Sequence, residues 1–107
     1  MTAAGGVKCW GYNNYGQLGD GSTTNSTVPV DVVGLSSGVV QIDLGYEFSC
    51  ALLATGAVKC WGRNDNGQIG DNTVTARYVP RSVSGLTSGV SYIAAGFQHT
   101  CAVLAGG

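Results

Sequence analysis

The chain has 107 residues, with 5 basic and 6 acidic side chains and a formal net charge of -1. That length suits one small domain or part of a larger one, and so sparse and balanced a charge excludes the basic footprint of a nucleic-acid binder. No apolar run is long enough to span a bilayer, and the opening MTAAGG has neither the charged n-region nor the apolar h-region of a secretory leader.

Glycine is abundant at 18 residues, while helix formers are scarce, with one Met, one Glu and two Lys. The composition predicts short strands joined by Gly and Asn turns. In chain order, GVKCWG (6–11) and TVPVDVV (27–33) read as strands. VVQIDLG (39–45), apolar and β-branched, reads as a buried inner strand. FSCALLA (48–54) and AVKCWG (57–62) follow, joined by the three-residue loop Ala54, Thr55 and Gly56, with Gly56 where the backbone wants positive φ. That register sets Leu53 against Ala57, Leu52 against Val58, Ala51 against Lys59 and Cys50 against Cys60. The polar loop RNDNGQIGDNTVTAR leads to YVPRSV (78–83), an edge strand because Pro80 cannot donate to a ladder. SGLTSG then turns the chain into SYIAAG (91–96) and HTCAVLA (99–105).

The chain aligns on itself without a gap when Cys9 is laid on Cys60, a shift of 51 residues. Gly5, Val7, Lys8, Cys9, Trp10 and Gly11 recur as Gly56, Val58, Lys59, Cys60, Trp61 and Gly62. Asn13, Gly16, Gln17, Gly19 and Asp20 recur as Asn64, Gly67, Gln68, Gly70 and Asp71, and Cys50 recurs as Cys101. Roughly half of the aligned positions are identical. A period near 50 signals a propeller or a solenoid, and four antiparallel strands per period make one propeller blade. The fold class is therefore all-β.

GAVKCWGRNDNGQIGDNT followed by VP, together with AAGFQHTCAVL, resembles the repeats of the regulator of chromosome condensation family. The resemblance covers nearly the whole chain, and the run W-G-x-N-x-x-G-Q-[LI]-G-D occurs twice at the right spacing. It implies a β-propeller, in this family usually of seven blades. The paired Cys resemble the Cys-containing bacterial and environmental members. The matched positions are mainly the family's structural Gly, Trp and Asn, so nucleotide exchange, histone binding and ultraviolet sensing are not carried over.

Laid out as blades, residues 1–38 hold strands three and four of a shared blade. Residues 39–84 hold one complete blade, and residues 85–107 hold strands one and two of another shared blade. Two blades do not close a ring, but strands one and two of one protomer can pair with strands three and four of the next, head to tail. Each chain then supplies two blade-equivalents. The expectation is a homo-oligomeric ring of six blades from a trimer, with eight from a tetramer next, or alternatively a fragment with no partner logic.

The four Cys, at 9, 50, 60 and 101, lack zinc spacing. Cys50 and Cys60, opposed in adjacent strands, suit an intrachain disulfide. By the repeat, Cys101 faces Cys9 of a neighbouring chain and suits an interchain one. The alternative is four reduced Cys packed as small apolar residues. Oxidised Cys imply an extracellular or periplasmic parent.

His99 and Cys101 lie two apart on one strand face, the placement of a base and a nucleophile, but Phe48 fills the equivalent place of His99 and points to packing. Asn64, Asp65, Asn66, Asp71 and Asn72 cluster in one loop, and Asn13, Asn14 and Asp20 in the other. Oxygen ligands on a Gly-rich loop can hold Ca²⁺, yet the order is not that of an EF-hand and these are the residues turns demand. Trp10 and Trp61 read as packing between blades, with the indole N–H bonded to a loop carbonyl. Tyr12, Tyr15, Arg63, Arg77 and Tyr78 lie in or beside the long loops, differ between repeats, and form the candidate ligand surface. No catalytic residue, metal or cofactor is assigned. Two functions compete: a non-catalytic self-assembling scaffold, natural or engineered, and a multivalent module binding a protein or glycan through its loop faces. An enzyme lacks paired carboxylates, a triad or a phosphate loop.

Overall fold

The computed structural model describes Met1 and residues 4–106. Thr2, Ala3 and Gly107, the outermost part of the first and last assigned segments, lie outside the described residues. Among the described residues eight strands follow one another: β1 (Lys8–Gly11), β2 (Ser26–Asp31), β3 (Val39–Leu44), β4 (Phe48–Leu53), β5 (Val58–Gly62), β6 (Arg77–Ser82), β7 (Val90–Ala95) and β8 (Thr100–Leu104). They form three antiparallel sheets, β1-β2, β3-β4-β5-β6 and β7-β8. The middle sheet is a whole four-stranded blade with β6, the Pro80 strand, at its edge.

The hairpin from β4 to β5 has the register its loop dictates. Leu52 pairs with Val58, Ala51 with Lys59 and Cys50 with Cys60. Gly56 sits at φ 84°, a left-handed turn position that a side chain would strain. Cys50 and Cys60 are joined by a disulfide, S–S 2.08 Å.

Burial follows the alternation of β4. Phe48, Cys50 and Leu52 face one core, with Val58, Cys60, Ile69, Val90 and Ile93. Ala51, on the opposite face, joins a second core with Val7, Val32, Leu35, Val39 and Trp61. Each core lies between neighbouring sheets, so a strand buried on both faces is apolar at nearly every position. The sequence assigns that role to VVQIDLG, and here the structure corrects it. β3 is an edge of its sheet; Val40 and Leu44 are exposed, and the buried strand is β4, where every residue but the half-buried Leu53 is buried. The β3 side chains instead serve the next sheet. Gln41 Nε2 donates to Ile93 O (2.7 Å), Ile93 N donates to Gln41 Oε1 (3.1 Å), and Ala95 N donates to Asp43 Oδ2 (2.8 Å). They satisfy backbone groups on β7 that no strand pairs.

Candidate functional site

The long loop after β5 is organised by one buried amide. Asn64 Nδ2 donates to Thr73 O (3.0 Å) and Thr75 O (2.9 Å), and its Oδ1 accepts from Ile69 N (3.0 Å). Asn13 repeats the arrangement on Ser22 O, Thr24 O and Leu18 N after β1. Asp71 accepts from Thr73 N (3.1 Å) and Arg77 Nε (2.7 Å). Burial pushes the Asp71 carboxyl up, but the bonds from the Thr73 hydroxyl, Arg77 and the Thr73 amide, with the Arg77 charge, outweigh it and hold the pKa at about 2. The oxygens of Asn13, Asp20, Asn64 and Asp71, four of the residues considered as Ca²⁺ ligands, are thus engaged in holding turns.

Rigid loops of this kind present a short ladder of flat groups. The Arg63 guanidinium lies 4.9 Å from the Tyr15 ring centroid and 5.8 Å from that of Tyr46. Tyr46 stacks on Phe97, centroids 4.4 Å apart and planes 21° from parallel. Arg63 is fixed by a two-bond fork to Asp65 (3.0 Å each) and by Glu47 (2.9 Å). The bonds to Asp65, opposed by partial burial and reinforced by Glu47, raise its pKa. The ladder draws on all three sheets: Tyr15 from the loop after β1, Arg63 and Tyr46 from the middle blade, and Phe97 from the turn before β8.

Of the five candidate surface residues, the structure brings Tyr15 and Arg63 together. Tyr12 is exposed at a shallow hollow that it shares with Glu47 and Phe48. Tyr78 is exposed and lies over Gly16, where an added Cβ would come within 2.4 Å of its ring. Arg77 is turned back into its own loop by Asp71 and carries a structural role. Tyr46 and Phe97 were missed, although the repeat holds the signal: they are equivalent positions and both aromatic.

His99 lies over Gly96 as Phe48 lies over Gly45, so the repeat equivalence holds in space. Cys9 and Cys101 carry free thiols on β1 and β8, in different sheets, and burial pushes the Cys9 thiol above its usual value. Trp61 packs between sheets, 1% exposed, with Nε1 donating to Gln17 O at 2.8 Å. Trp10 does not. It is 63% exposed, because no sheet among the described residues lies against β1 on that side.

Four-stranded antiparallel blades packed face to face define β-propeller architecture. The regulator of chromosome condensation (RCC1) repeat matches residues 4–52 and 55–103, with a second form of that repeat on 39–68. The chain belongs to the RCC1 repeat family. It is 37% identical over 106 residues to the human probable E3 ubiquitin-protein ligase HERC4, covering 96% of this chain and 10% of that one. It is 32% identical over 99 residues to the Arabidopsis thaliana ultraviolet-B receptor UVR8, covering 91% and 22%. Yeast RCC1 (Prp20), solved bound to Kap60, superposes with a TM-score of 0.81 at 25% identity, covering all of this chain and 28% of that one. Human WBSCR16 superposes with a TM-score of 0.80 at 25% identity, covering 97% and 28%. The chain therefore spans a small part of the length of these relatives.

Proposed function

We propose that the chain is a non-catalytic propeller module that assembles head to tail with copies of itself and acts as a scaffold. The observation that supports this is a pair of open edges. In the complete blade, β4 and β5 are hydrogen-bonded neighbours, whereas their counterparts β8 and β1 each border a two-stranded sheet. An open edge recruits another strand. Setting β8 of one copy against β1 of the next in the β4–β5 register brings Cys101 to Cys9, Ala102 to Lys8 and Thr100 to Trp10. A ring built this way has an even number of blades, six from a trimer or, next, eight from a tetramer. A small-molecule disulfide in the surroundings would take two electrons and two protons from Cys9 and Cys101, leaving one interchain S–S bond and two released thiols. Such a bond belongs to an extracellular or periplasmic setting. The ubiquitin-ligase activity named for one relative is not carried over, since this chain matches only a tenth of that protein.

A second reading has its own observation. The Tyr15–Arg63–Tyr46–Phe97 ladder supplies aromatic and Arg groups of the kind that anchor a protein or glycan, and a relative of this architecture was solved bound to a protein partner. Repeated around a ring, such a surface would be multivalent. The two readings are compatible.

Native mass spectrometry without reductant, repeated in denaturant, tests the first. A trimer or tetramer that stays covalent in denaturant until reduced is expected. A monomer at all concentrations overturns self-assembly, and a ring that separates in denaturant without reductant overturns the interchain disulfide alone.

A further inference from the structure

The two repeats differ by an exchange of a tryptophan for a hole. Trp61 fills a site bounded by Val7, Val32, Leu35 and Ala51. A Cβ added at Gly19 would lie 2.7 Å from its Nε1. Its indole N–H and the Ser49 hydroxyl both donate to Gln17 O, at 2.8 and 3.1 Å. Shifting every one of those positions by one repeat gives Val58, Val83, Leu86, Ala102, Gly70 and Gln68, all of which line a cavity of about 220 Å³ between the middle blade and the β7-β8 sheet. Thr100 Oγ1 donates to Gln68 O at 2.9 Å, reproducing the Ser49 bond. At Gly70 an added Cβ would meet only Val83, at 3.0 Å and beyond. The cavity is the Trp61 socket with its tryptophan missing, and Gln68 Nε2 is buried beside it without a partner among the described residues.

The matching plug is on the same chain, on the wrong side to reach it. Trp10, equivalent to Trp61, stands exposed on β1. We infer that Trp10 of a second copy seats in this cavity, its Nε1 donating to Gln68 O beside the Thr100 hydroxyl. The inference rests on the head-to-tail reading above and adds to it the residue and the site that fix the contact. A large aromatic seated in a preformed pocket is the usual anchor of an interface, and the contact is directional, with plug on one edge and socket on the other.

Two variants separate the halves. W10A removes the plug and keeps the socket; A102F fills the socket and keeps the plug. Each alone is expected to raise the concentration for half-assembly, read by native mass spectrometry under reducing conditions, by at least about 30-fold. Mixed one to one, they are expected to form a heterodimer that goes no further, since only the Trp10 of the A102F chain meets an open socket. In the wild type, acrylamide quenching should fall on assembly, and the falling component should be absent from W10F. An oligomer whose Trp10 stays as quenchable as in the dissociated chain, or a mixture that gives no heterodimer, overturns the socket and leaves the ring standing. A wild-type monomer at every concentration overturns both.

Discussion

Replacing Asn64 by alanine is expected to destabilise the chain by about 3 kcal/mol, because one side chain satisfies three backbone groups. The residue is fully buried. Its amide holds the carbonyls of Thr73 and Thr75, and its oxygen holds the N–H of Ile69, itself in the core. A buried group left unpaired costs roughly 1–3 kcal/mol. The Ile69 N–H is the most enclosed of the three and should show about 2 kcal/mol; the two carbonyls sit nearer the loop rim, where water replaces part of the loss. Asn64→Asp should be at least as costly near neutral pH. It keeps the acceptor for Ile69 but cannot donate, and its charge lies at the site where Nδ2 is now 3.3 Å from Asp71 Oδ1. Asn66→Ala is the control, since Asn66 is exposed and its bond to Gln68 is made by the backbone N–H. Urea unfolding at fixed protein concentration and pH 7 measures all three, and for N64A a fall in Tm on the order of 10–20 °C accompanies the loss. A cost below about 1 kcal/mol for N64A, or equal costs for N64A and N66A, would refute the claim that this amide organises the loop.

Asp71 gives a pH dependence of defined sign. Its folded pKa, about 2, lies below the ordinary 3.8, so its stabilisation is complete above about pH 4 and is lost as pH falls through about 2. Allowing for solvent screening, wild type should lead D71N by about 1–2 kcal/mol at pH 6, and the lead should shrink across that window in urea titrations. Gly45 and Gly96 should respond unequally to alanine. At Gly45 the new methyl would meet the Phe48 ring at 2.0 Å and the Gly96 carbonyl at 2.7 Å, and Phe48 is locked in the core, so a cost of about 1–3 kcal/mol is expected. At Gly96 its three nearest neighbours would all be atoms of the His99 ring, an exposed side chain free to swing away, so thermal melts should show a loss under about 1 kcal/mol.

What the sequence made legible was whatever depends on near neighbours. The Cys50–Cys60 pairing follows from a three-residue loop and the two-residue period of strands, and the structure has that register. Blade strands, the Pro80 edge and the turn glycines are local in the same sense. What stayed hidden depends on which sheet stands alongside. Asn13 and Asn64 read as turn residues, although each is a buried keystone, because burial by a loop folding back on itself leaves no periodic trace. VVQIDLG and FSCALLA both read as apolar strands, although VVQIDLG carries Gln41 and Asp43, and their order across the sheet leaves β4 covered on both faces while β3 keeps an open edge. KCWG is the sharpest case. It occurs twice with the same letters, yet Trp61 is core and Trp10 is surface. In a repeat fold each unit buries its faces against the next, so an interface residue carries the sequence signature of a core residue. The local pattern identifies Trp10 as a residue made for burial. That it is bare, one repeat away from a cavity of the matching lining, is a property of the arrangement, and it is this mismatch between residue type and environment that points from the fold of one chain to the contact between two.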